Sequence, residues 1–168
     1  TRVMKMKKIL VLSVLSVVFF ILDNVLMPFF AVKTFYPSLL FIFIICYSIV
    51  NGKWEGLWLG VFVGLLQDVY FSQGFGINAF TNMIICVTAG VIGDNIFKEK
   101  RLIPVISCFL LALFKGILVF GLLYLYGIYV NISRVFFISV YDMILCIFMY
   151  RPIYNLCNKE YMQIKWKF

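Results

Sequence analysis

Six long apolar stretches divide this chain, separated by short segments rich in glycine, proline or charge. A helix needs roughly 20 residues to cross the apolar core of a bilayer, so each stretch approaches the length of a membrane crossing. The first runs from Ile9 to about Met27 and is ended by Pro28. The second follows Pro37 and stops before Asn51-Gly52. The third covers about Gly56 to Phe71 and ends at the turn signal Ser72-Gln73-Gly74-Phe75-Gly76. The fourth occupies Ile77 to Gly93, and a charged loop follows from Asp94 to Leu102. The fifth extends from Ile103 to about Tyr126. The sixth goes from Val135 to Tyr150, where Arg151-Pro152 opens a polar tail. Stretches two and three are short, which points to tilt, burial within protein or re-entry.

Composition makes a soluble fold untenable. Of 168 residues, 64% are hydrophobic and 13% charged, whereas soluble domains are about 45–50% apolar and roughly a quarter charged. The excess apolar surface must face lipid. The expected architecture is an all-α membrane protein, a six-transmembrane-helix bundle. Residues 1–8 form a basic N-terminal segment, 9–150 a single transmembrane domain and 151–168 a basic tail. Thr1-Arg2-Val3 ahead of Met4 reads as a cloning remnant. No small-residue cleavage site follows the first apolar stretch, so it reads as an uncleaved anchor.

The basic residues orient the bundle. With the N-terminus in the cytoplasm, the inner segments collect Arg2, Lys5, Lys7, Lys8, Lys53, Lys98, Lys100, Arg101, Arg151, Lys159, Lys165 and Lys167. The outer loops hold only Lys33 and Arg134, and Lys115 lies within a span. That asymmetry is the positive-inside pattern, with both termini cytoplasmic. The net charge of +8 therefore reports topology and contact with anionic lipid head groups, not binding of nucleic acid. Trp54, Trp58, Tyr124, Tyr126 and Tyr129 sit near span ends, as interface belts do.

The chemical inventory is sparse. There is no histidine, and the five cysteines show no C-x-x-C spacing. Imidazole bases, Cys–His catalysis and His-ligated metals are excluded. No catalytic residue, metal or cofactor is expected, and the cysteines read as small hydrophobes.

The polar residues inside the spans fall into patterns. Gly52, Gly56, Gly60 and Gly64 recur every fourth residue and Asp68 continues the series, so span three carries a bare ridge ending in a carboxylate. Small-x-x-x-small ridges permit close backbone approach in lipid. Packing against a neighbour in the same protein, docking of another protein's helix, and a small-ligand groove all fit. Span four shows the series Asn78, Asn82, Cys86, Gly90 and Asp94. Asp68 is expected to accept a hydrogen bond from Asn78, Asn82 or the turn backbone. Lys115 is the residue least at home, about 18 Å above the inner end of span five; Asp142 lies about 13 Å up span six and Asp68 about 21 Å up span three. Charges at such depth are costly unless paired or hydrated. The expected partner of Lys115 is Asp142, with Asp68 second.

These residues resemble those of the MreD family of bacterial rod-shape-determining proteins. The likeness begins at Pro37-Ser38-Leu39-Leu40. It is most specific from Gly52 through Gly64-Leu65-Leu66-Gln67-Asp68, and it continues through Gly76-Ile77-Asn78-Ala79-Phe80. The order and spacing of these motifs carry the weight. The resemblance implies a fold like that of the substrate-binding subunits of energy-coupling-factor vitamin transporters, no catalytic activity and residence in the bacterial inner membrane. It implies a scaffold in the peptidoglycan-synthesising elongation machinery, with the transmembrane helix of MreC as partner. It also implies an association with MreB, RodA and a penicillin-binding transpeptidase. Asp68, Gly64, Gly76 and Asn78 are the positions carried over, and self-association stays open.

Two rival functions have less support. A vitamin-binding transporter subunit would dock through alanine-rich spacing on its first helix, but residues 9–22 contain no alanine. An aspartyl intramembrane peptidase would draw on Asp23, Asp68, Asp94 and Asp142, but no motif of the lipoprotein signal peptidases is complete.

Overall fold

The computed structural model describes residues 2–33, 35, 37–70 and 74–165. Thr1, Phe71, the Ser72-Gln73 part of the turn signal and Lys167 lie outside the described residues. Six α-helices follow one another among those described: α1 (Arg2–Val25), α2 (Leu39–Asn51), α3 (Lys53–Tyr70), α4 (Ile77–Asp94), α5 (Leu102–Leu125) and α6 (Ser133–Cys157). A 3-10 turn, Met27–Phe30, follows α1 at Pro28.

Each apolar stretch yields one helix, but the helices are not alike. Four of them, α1, α4, α5 and α6, are long and apolar enough to cross a membrane. Helix α3 has 18 residues and carries Lys53, Glu55 and Asp68. Helix α2 has only 13 residues, a length of about 20 Å against a core of about 30 Å. All residues from Leu40 to Ile49 are buried. A helix that is apolar all round belongs inside a protein, and α2 is the central element, packed against α1, α3, α4, α5 and α6. The brevity of stretch two is thus explained by burial in protein.

Two boundaries differ from expectation. Helix α1 begins at Arg2, so the basic segment before Ile9 is helical. Helix α6 does not stop at Tyr150 but continues through Pro152 to Cys157. Proline deprives the Phe148 carbonyl of its usual donor. The helix persists because Ile153 and Cys157 join Tyr150 in the core, and tertiary packing outweighs the local penalty. Beyond α6 the chain folds back as far as it is described, burying Met162 completely. The segment expected as a polar tail is therefore packed on the bundle.

A buried charge cluster fixes this end. Lys8, the last member of the basic run, is fully buried. Its ammonium donates to Glu55 Oε1 at 2.9 Å and Oε2 at 2.7 Å, and to the Ile164 carbonyl at 2.9 Å. The Tyr47 hydroxyl donates to Glu55 Oε2 at 2.7 Å. One lysine thereby joins the start of α1, the end of α2, the start of α3 and the returning chain. Nearby, the Lys98 ammonium donates to the Val50 carbonyl and the Tyr150 hydroxyl to the Lys98 carbonyl.

Breaking such a pair leaves a desolvated charge, at a cost of about 3–5 kcal/mol. Lys8→Met is expected to lower stability by that order in reversible detergent unfolding, and Lys8→Met with Glu55→Gln to recover most of it. Equal stability of wild type and the single variant would show that water reaches the cluster.

Candidate functional site

The glycine series faces inward. A Cβ on Gly56 would lie 3.0 Å from the Cys86 carbonyl oxygen, one on Gly60 2.8 Å from the Asn82 carbonyl oxygen, and one on Gly64 2.6 Å from the Asn78 carbonyl oxygen. As the α3 number rises the α4 number falls, so the two ridges run antiparallel in register. Gly90 is pressed in the same way against the backbone of Lys53. Gly52 is the exception: it lies between α2 and α3 with φ +101° and turns the chain. Its place in the series reflects the turn, not the ridge. The ridge is thus occupied by α4, with Ser48 of α2 also pressed against Gly56.

Asp68 closes the outer end of this interface. It is buried, and it accepts from the backbone N–H groups of Gly76, Asn78 and Ala79, each at 3.0 Å. These donors belong to the first turn of α4, which has no earlier carbonyl to serve them. The turn backbone, not an asparagine amide, supplies the bonds. Gly76 caps the helix in the left-handed region at φ +96°, where a residue without Cβ has no steric penalty. Asn82 instead donates its amide to Gln67 Oε1 at 2.9 Å.

A second capped N-terminus lies at α2, and here the expected ion pair is corrected. Asp142 Oδ1 accepts from the Ser38 N–H at 3.0 Å, and among the described residues no carboxylate lies within 4 Å of the Lys115 ammonium. That ammonium sits over the Phe41 ring, 4.5 Å from its centroid. Asp142 reaches the backbone at the start of α2, where the helix dipole and a free N–H both favour a carboxylate. Asp23 completes the cap. It accepts from Ser38 Oγ at 2.8 Å, Leu39 N at 2.7 Å and Leu40 N at 3.1 Å, while Ser38 Oγ receives Phe41 N at 3.2 Å. The four leading N–H groups of α2, from Ser38 to Phe41, are all satisfied.

Lys115 and Ser38 line two adjacent cavities. One, of about 290 Å³, is bounded mainly by α5, α6 and the start of α2, and includes Asp142 and Arg134. The other, of about 150 Å³, includes Asp23, Asn24 and Gln67. The sequence singled out Lys115, Asp68 and Asp142 by their depth. It treated Asp23 only as one of several carboxylates and Lys8 as one of the inner basic residues, and it did not single out Glu55; the Asp23-x(14)-Ser38 link across a proline turn has no local signature. All five cysteines are buried and free, and Cys46 Sγ lies 3.7 Å from Cys146 Sγ. The carboxylates Asp23, Asp68 and Asp142 all accept backbone N–H bonds, so the chemistry of the arrangement is that of holding helix starts in place.

Two substitutions probe this packing. Gly60→Leu is expected to lower stability by about 1–3 kcal/mol through overpacking. Asp68→Ala is expected to lower it by about 2 kcal/mol or more, because buried N–H groups lose their acceptor; Asp68→Asn should recover part. Thermal unfolding of the detergent-purified protein measures both, and unchanged midpoints would contradict the close α3–α4 fit.

No curated protein and no solved structure matches the chain. The family model described as rod shape-determining protein MreD matches residues 5–160, which takes in α2 to α6 whole and all but the first three residues of α1. That family comprises membrane proteins that act with other shape-determining proteins and are not known as enzymes. With more than nine-tenths of its length matched, the chain belongs to the MreD family of rod shape-determining proteins.

Proposed function

We propose that this protein is a non-catalytic scaffold of the bacterial inner membrane that holds the transmembrane helix of MreC beside the enzymes of cell elongation. In this reading all six helices lie within the membrane with both termini cytoplasmic, in an arrangement like that of vitamin-transporter binding subunits. The distribution of basic residues supports that orientation. MreB, RodA and a penicillin-binding transpeptidase are the further partners of the assembly.

One observation carries the reading: α1 is the least buried of the four long apolar helices. Val3, Met6, Leu10, Val14, Val17, Ile21 and Val25 are all exposed. Their spacing of three or four residues forms a single stripe along one helix face. Beside it, a groove of about 540 Å³ runs between α1 and the end of α6, lined by Leu10, Val11, Val14, Leu15, Pro152 and Leu156 among others. The glycine ridge is already filled by α4, so a partner helix has to use another face. A stripe and an adjoining groove suit an apolar helix laid alongside α1.

Site-specific photocrosslinking in membranes tests this. A photoreactive residue at Val14 or Leu10 is expected to capture MreC, whereas one at Leu110, exposed on α5, is not. Crosslinks from Leu110 alone would overturn the choice of face. Co-purification of a transporter ATPase module without MreC would overturn the scaffold and favour a vitamin-binding subunit.

A further inference from the structure

We propose that the cavity at α5 and α6 holds the acidic head group of an anionic membrane lipid, with Lys115 as its deep contact and Arg134 as its outer one. This inference does not rest on the partner assigned above. Lys115 lies ten residues before the end of α5, about 15 Å along the helix. Its ammonium has three donors. Phe41 offers them only a ring face, and among the described residues Lys115 makes no hydrogen bond and no ion pair. Asp142 shares the cavity but already accepts the Ser38 N–H. Asp23, facing the neighbouring cavity, already accepts from Ser38, Leu39 and Leu40. An ammonium at that depth, lining a cavity whose one carboxylate, Asp142, stays beyond 4 Å, lacks a directly bonded anion.

The walls define the rest of the ligand. Val119, Phe120, Leu123, Val135 and Ile138 line the cavity, surfaces that an acyl chain covers and a hydrated ion does not. Arg134 lines it too and is exposed; its guanidinium lies over Phe35 at 5.8 Å. Lys115 and Arg134 against Asp142 give the lining one positive charge, matching one phosphate diester. At about 290 Å³, on the order of ten water volumes, the cavity takes a head group and the upper part of one chain. The rest of the lipid lies outside the cavity, in the surrounding hydrocarbon.

The test uses the full chain, purified in neutral detergent and stripped of lipid. Its thermal midpoint is titrated with phosphatidylglycerol, with phosphatidylcholine of the same acyl chains, and with inorganic phosphate. Phosphatidylglycerol alone is expected to raise the midpoint. A cation at an anionic lipid is worth about 1 kcal/mol, so Arg134→Gln should weaken the effect about fivefold. Lys115→Met should abolish most of it, and Lys115→Arg should retain it. Lys33→Gln, which alters the other outer cation, should leave it unchanged. Equal shifts with phosphatidylcholine, a shift with inorganic phosphate alone, or a full response in Arg134→Gln would each overturn the proposal. The exposed Arg134 keeps the test decisive if Lys115→Met fails to fold.

Discussion

Hydrocarbon offers no acceptor to a peptide N–H, and that single deficit explains where this protein keeps Asp23, Asp68 and Asp142. The starts of α2 and α4 each expose four N–H groups with no earlier turn to serve them. Asp23 and Asp142 supply the first helix, assisted by Ser38 Oγ, and Asp68 the second. Helix α2 depends on this most, because it is too short to reach both faces of a bilayer and is enclosed by its neighbours. Once its start is fixed, the Phe41 face is placed under Lys115, and the two cavities that share Ser38 and Lys115 follow.

Close packing in lipid has a different source from close packing in water. Apolar side chains gain little by leaving hydrocarbon for one another, so helix contacts rely on van der Waals fit and polar links. The α3–α4 interface uses both. Gly56, Gly60 and Gly64 let the backbones approach, and Asp68 and the Gln67–Asn82 bond hold the far end. A ridge committed in this way is unavailable to a partner. In the proposed reading, recognition therefore falls to surfaces that remain apolar and exposed, with α1 foremost.

The sequence disclosed more of the fold than of its joints. Apolar length and glycine spacing located six helices and the α3 ridge, because both are local patterns. Asp68 was legible because the glycine turn that it caps follows within ten residues. Lys8 was not: in sequence it is one more member of a basic run, and its partner Glu55 is 47 residues away. Its burial is decided by where α3 begins and where the returning chain passes. Asp142 was read as a countercharge because depth alone invites pairing with Lys115. The competing partner was the Ser38 backbone N–H, and backbone donors carry no mark in a sequence. The end of α6 was missed for the opposite reason. Arg151-Pro152 is a strong local stop signal that packing of Ile153 and Cys157 overrides.

Helix α1 shows how these joints bear on the proposed function. Its lower part is held by the Lys8 contacts to Glu55 and Ile164, and its upper part by the Asp23 contacts to the start of α2. Between them it packs on α2, as in the Phe19–Phe43 ring contact at 5.1 Å, and leaves its other side bare. A helix pinned at both ends has already lost the freedom that association would otherwise remove. Apolar docking in lipid is weak per contact, so a partner gains most from a surface that needs no further ordering. The charged residues that look least suited to a membrane protein are thus what make its apolar face a fixed one.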